Sequence, residues 1–64
     1  MELKAYLRKH FPMGIDTRTA TYLSLKGNEA LTKECVFQGY LVPYDNNNYL
    51  VYRITEKGKA LCDN

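Results

Sequence analysis

An α+β fold of three helices, a two-stranded antiparallel hairpin and a short C-terminal helical turn is predicted by three features of this chain. Apolar residues recur at helical spacing near the start, at Leu3, Tyr6, Leu7 and His10-Phe11. Two runs rich in tyrosine and β-branched residues, 40–44 and 49–54, flank the polar stretch Asp45-Asn46-Asn47-Asn48. Thr55-Glu56-Lys57-Gly58 then reads as a capped helix start directly after the second run.

The first helix is expected over 2–11, because its apolar residues share one face and Pro12 pushes Phe11 out of the helical region. Lys4, Arg8 and Lys9 fall outside that face. Asp16 is a candidate cap for a second helix running to Lys26, with Ala20 and Leu23 inward and Gly27 as its stop. Thr17, Thr19 and Thr21 are poor helix formers, and the alternation of TRTATYLSL also fits a strand. Helix is favoured over 17–25, and strand stays open. Asn28 suits the cap of a third helix over 29–38, with Leu31 and Cys35 inward and Gly39 ending it. In the hairpin, Leu41, Leu50, Tyr52 and Ile54 form the expected inward set, and Pro43 marks an edge or the base of the loop.

Sixty-four residues are expected to form one domain over 1–64, near the lower limit for a self-sufficient core. A cleft would remove packing from a core already thin, so no enzyme is expected. Nine basic and seven acidic residues give a net charge of only +2. That is a weak footprint for nucleic-acid binding, where neutralised phosphates supply much of the affinity, so a local patch or a dimer would be required. Cys35 and Cys62 are too few for a disulfide scaffold and lack metal-ligand spacing. With a single histidine, neither metal nor cofactor is expected. Cys35 reads as a small buried hydrophobe, and Cys62 as a free thiol on a frayed end. No apolar run is long enough to span a bilayer, and no signal-like start is visible. A reduced cytoplasmic protein away from membranes is therefore expected.

Leu31, Cys35, Gly39-Tyr40-Leu41 and Tyr52-Arg53-Ile54-Thr55-Glu56-Lys57-Gly58 together resemble the end of the recognition helix, the first wing strand and the post-wing turn of winged helix-turn-helix repressors. The order of elements over the whole chain is similar too. Two departures stand beside the resemblance: the second helix is poorly patterned, and the additional helices with which many such repressors dimerise are missing. The resemblance implies a small regulator of transcription or recombination, of the repressor-like or excisionase-like kind found in bacteria and phages, with double-stranded DNA as its partner. It also implies that the third helix enters the major groove and the wing touches flanking backbone. By position, Asn28, Thr32 and Lys33 would approach DNA from that helix, with Asn46, Asn47 and Asn48 at the wing tip and Arg53 on the outer face of the hairpin. Asparagine can pair with adenine, and lysine or arginine with guanine or phosphate. Arg8 and Lys9, with Lys4 and His10 nearby, form the densest positive cluster, and Lys57 and Lys59 would extend its field.

Each of these features has a plainer explanation. An Asp-Asn-Asn-Asn stretch is also what a solvated turn looks like, and basic residues on a helix are often only solvated. His10 has no partner spaced for catalysis. Four of the six tyrosines, Tyr40, Tyr44, Tyr49 and Tyr52, lie in the hairpin and read first as cross-strand packing. If any of them stack on unpaired bases, Tyr44 and Tyr49 beside the loop are the candidates. Glu29 and Glu34 would oppose phosphate, and Val36 and Phe37 lie off the Leu31–Cys35 face. Phe37 is expected to pack against the first helix. Otherwise, Val36 and Phe37 form an apolar contact surface for a protein partner or a second copy. A protein-binding winged helix, acting as adaptor or inhibitor, is thus the alternative function.

Overall fold

The computed structural model describes residues 2–63. They form α1 (Glu2–His10), β1 (Thr17–Thr19), α2 (Ala20–Leu25), α3 (Glu29–Gln38), β2 (Leu41–Asn46), β3 (Tyr49–Ile54) and α4 (Glu56–Asp63). The architecture is a small α+β domain in which four helices accompany a three-stranded antiparallel sheet of order β1-β3-β2. Its core joins Tyr6, Leu7 and Phe11 to Leu23 of α2, Cys35 of α3, Leu41 of β2 and Ile54 of β3.

The ambiguous stretch 17–25 turns out to be both strand and helix. Thr17, Arg18 and Thr19 pair with Arg53, Tyr52 and Val51, which makes the sheet three-stranded where two strands were expected. The chain turns helical at Ala20, and Leu23 drops into the core. The cap of α2 is Thr19, whose side-chain oxygen accepts the Tyr22 amide at 3.1 Å, and not Asp16. The Asp16 carbonyl instead receives the Ile54 amide, which anchors the start of β1 to β3. Helix α2 ends at Leu25 with Lys26 as its C-cap, and Gly27 at φ 73° supplies the left-handed residue that a helix stop favours.

Helix α3 spans the expected residues. Gly39 at φ 86° closes it with the amides of Gly39 and Tyr40 bonded to the Val36 and Cys35 carbonyls. The hairpin is tighter than expected, since Asp45 and Asn46 belong to β2 and only Asn47 and Asn48 form the turn. Their φ angles of 51° and 62° suit a two-residue turn in which both residues are left-handed. Asparagine tolerates that region better than other residues with a Cβ. Tyr44, Asp45, Asn46, Tyr49 and Leu50 are all exposed, so the distal half of the hairpin projects beyond the core. Leu50 is therefore not inward. Val51 is buried in its place, on the other face of β3 where β1 lies alongside. Leu41 and Ile54 are buried as expected, and Tyr52 is half-buried.

The predicted final turn is a helix of eight residues. The single Thr55 hydroxyl proton is shared between the carbonyls of Gly39 at 2.6 Å and Tyr40 at 3.1 Å, and the hydroxyl oxygen accepts the Gly58 amide at 3.1 Å. One side chain thus caps α4 and ties it to the chain entering β2. Arg8 Nε and Nη2 both donate to the Cys62 carbonyl, at 2.9 and 2.6 Å, which joins α1 to the end of α4. Cys62 is half-buried against the core and does not sit on a frayed end.

Candidate functional site

Helices α2 and α3 are consecutive and joined by the short turn Lys26-Gly27-Asn28. Helix α3 is held from one side only. Thr32 and Cys35 are buried, Leu31 and Val36 pack against the core, and Glu29, Ala30, Lys33, Glu34, Phe37 and Gln38 are exposed. A hollow of about 190 Å³ runs between α2, α3 and the sheet, and it is lined by both Lys33 and Tyr52. Lys33 of α3 and Tyr52 near the base of the hairpin therefore border one hollow.

Several expected contact residues are committed to the fold. Thr32 is only 4% exposed. Its hydroxyl donates to the Asn28 carbonyl at 2.8 Å and so must accept from the Tyr6 hydroxyl, 2.5 Å away. Thr32 is consequently a core residue, bonded inward and not on the open face of α3. Asn28 stands at the N-cap of α3 as expected, but its side chain makes no capping bond; its amide nitrogen donates instead to His10 Nε2 at 3.0 Å. Arg8 grips the end of α4. Lys57 donates to the Gln38 carbonyl at 2.7 Å and lies over the Tyr40 ring, while Lys59 pairs with Asp16 at 3.9 Å and Glu56 at 4.0 Å. The expected positive cluster is thereby broken up by local partners. Lys9, Lys33, Arg53 and the tip residues Asn46, Asn47 and Asn48 remain exposed.

His10 is not part of a basic surface either. It is 3% exposed, between Tyr6 and Tyr22. Because the Asn28 amide nitrogen can only donate, His10 Nε2 accepts and the ring proton sits on Nδ1. Nδ1 has no partner among the described residues. Burial, and then the charges of Lys9, Arg18 and Lys26, hold the imidazole below its ordinary pKa, so it is neutral near pH 7. Burial also pushes the Cys35 thiol up to about 11, with Glu34 adding to the effect. The Cys35 thiol is therefore inert packing.

Of the two residues proposed for a protein interface, Val36 is half-buried against the core. Phe37 does not pack on α1; it is 84% exposed. Leu25 at the end of α2 is open to a similar degree. The sequence signals for both were present but ambiguous, since an apolar residue off the main helical face fits a crowded core as well as a bare surface.

A further hollow of about 520 Å³ lies between the end of α1, the following loop and α4. It has apolar walls at Phe11, Met13 and Ile54, and charges of both signs at its rim. No group of three or more His, Cys, Asp or Glu among the described residues is placed to hold a metal ion. None of their helices is long and apolar enough to cross a membrane.

No protein-family model, curated protein or solved structure matches this chain.

Proposed function

We propose that the protein is a small winged helix-turn-helix DNA-binding regulator, with α2 and α3 as the helix-turn-helix, α3 as the reading helix and the β2–β3 hairpin as the wing. The observation that carries this reading is the one-sided burial of α3 together with a hairpin whose distal half projects beyond the core. A helix held only by its inner face has its outer face free to enter a major groove. Lys33 is the open cation on that outer face, where the Gln38 amide already donates to Glu34 at 2.8 Å, and Asn46, Asn47, Asn48 and Arg53 are the polar donors of the wing. Lys9 adds charge nearby on α1. With a net charge of +2 and so few open cations, one copy would hold a site weakly, so a dimer or partner protein is part of the proposal.

Titration of fluorescent random-sequence duplex across a salt series tests this directly. Affinity should fall steeply with salt, and Lys33→Ala and Arg53→Ala should each reduce the salt slope by about one. A protein that leaves duplex unbound at low salt is not a DNA reader.

A second reading is favoured by one observation, the exposure of Phe37 between Glu34 and Gln38 on the same helix. An aromatic anchor flanked by polar residues is the composition of a protein-binding hot spot. On this reading the protein is an adaptor or inhibitor that docks α3 on a partner, and Phe37→Ala would abolish capture of that partner.

A further inference from the structure

The sheet has a second face, turned away from the α3 groove. Residues of one parity along the ladder point away from the core: Thr17 and Thr19 on β1, Tyr49, Val51 and Arg53 on β3, and Val42, Tyr44 and Asn46 on β2. Within this set Tyr44 sits opposite Val51, two residues along β3 from Tyr49, so the two phenols are diagonal neighbours. Tyr22 of α2 comes round the β1 edge to join them. Tyr22, Tyr44 and Tyr49 line one open hollow of about 260 Å³ floored by buried Val51. Tyr44 and Tyr49 keep 39% and 49% of their surface exposed, which leaves ring surface for a ligand.

The charge around this hollow has one sign. The Arg18 guanidinium, whose Nε donates to the His10 carbonyl at 2.8 Å, lies 4.3 Å from the Tyr22 ring centre, and the Lys26 ammonium lies 5.6 Å from it. Arg53 continues the same sheet face, and no Asp or Glu lines the hollow. Its polar remainder is neutral, with Thr hydroxyls and the Asn46 amide. The volume is below the roughly 300–1,000 Å³ of a site for a drug-sized molecule, but it admits a single planar ring. Aromatic walls with flanking cations and no carboxylate are complementary to a base on a polyanionic strand.

We infer that this outer sheet face binds unpaired nucleotides of single-stranded nucleic acid, with a base stacked against Tyr44 and Tyr49 beside Tyr22 and adjacent phosphates met by Lys26 and Arg53. The stacking site is separate from the α3 groove, and its tyrosines play no part in the duplex reading; Asn46 and Arg53 are shared with the wing. Stacking is indifferent to base identity, so the preference it creates is for unpaired over paired strands.

The chain has no tryptophan, so intrinsic tyrosine emission reports the stacking. Titration with oligothymidylate at low salt should quench that emission and bind a labelled oligomer. Tyr44→Ala and Tyr49→Ala, both at exposed positions, should each weaken binding about ten-fold. Tyr44→Phe and Tyr49→Phe preserve the ring and should bind as the wild type does, which separates stacking from any loss of fold. Lys33→Ala, which tests the duplex surface, should leave oligothymidylate binding unchanged. Absence of quenching and of binding at low salt overturns the inference. So does binding that survives both alanine substitutions, because the strand would then lie elsewhere.

Discussion

Gly58 of α4 sits so close to Tyr40 that a Cβ at position 58 would lie 2.5 Å from the Tyr40 carbonyl oxygen. The same atom would lie 2.7 Å from Ile54 Cγ1. The Tyr40 carbonyl is itself held by the Thr55 amide and hydroxyl, so the backbone has little freedom to withdraw. The Thr-Glu-Lys-Gly turn therefore has a physical basis: threonine caps the helix and pins the strand, and glycine lets the two backbones meet.

Gly58→Ala should accordingly destabilise the protein. In an open helix interior this change gains about 1 kcal/mol from propensity. Here overpacking against a fixed carbonyl costs about 1–3 kcal/mol or more and reverses the sign. Urea denaturation should place the variant below wild type in midpoint. A midpoint equal to or above wild type would mean that α4 can shift away.

Thr55→Val keeps the shape but removes the hydroxyl that bonds Gly39, Tyr40 and Gly58. Loss of a helix cap alone costs about 0.5–2 kcal/mol, and two carbonyls lose a donor as well. We expect about 2 kcal/mol of destabilisation, with hydrogen exchange accelerating first along α4. Uniform acceleration across the whole fold would contradict the local tie.

Acid should weaken the fold through His10, the one histidine of the chain. Its folded pKa lies below the ordinary 6.5 because burial opposes the charged ring. As pH falls through about 6.5 the unfolded chain takes up a proton that the folded chain resists. Stability is thus full above the unfolded value. It declines as pH falls toward the folded one, at up to about 1.4 kcal/mol per pH unit for a single proton. Denaturation midpoints between about pH 7 and pH 5.5 should show this slope, and His10→Gln should flatten it.

The two thiols should separate by reactivity. Cys35 is fully buried with its pKa pushed up to about 11, whereas Cys62 is half-buried. A thiol reagent should add once to the native protein, at Cys62, and a second time only under denaturing conditions. Two rapid native additions, read by mass spectrometry, would mean that the core opens around Cys35.

Tyr6→Phe removes a donor from a buried pair, and Thr32→Val removes its acceptor. The second change should cost more, about 1–3 kcal/mol against about 1, because it leaves the Tyr6 hydroxyl buried without a partner. Neither should alter the salt slope of duplex binding, since Thr32 faces the core. A reduced slope for Thr32→Val at unchanged stability would return it to the reading surface.

Local chemistry determined much of this protein before any packing was considered. Periodicity marked α1 and α3, and left-handed glycines stopped α2 and α3 where Gly27 and Gly39 stand. The β-branched and tyrosine runs formed the hairpin, and Thr55 capped the last helix. These signals lie within a few residues of the structure they specify. Tertiary structure decided the rest. Residues 17–25 were divided because β3 offered Thr17–Thr19 a strand partner while Leu23 was needed in the core. Burial took Thr32 and Asn28 away from the open face of α3, and it exposed Phe37 where packing against α1 was expected. A side chain's periodic position states which face it occupies; only the neighbouring elements determine whether that face is covered.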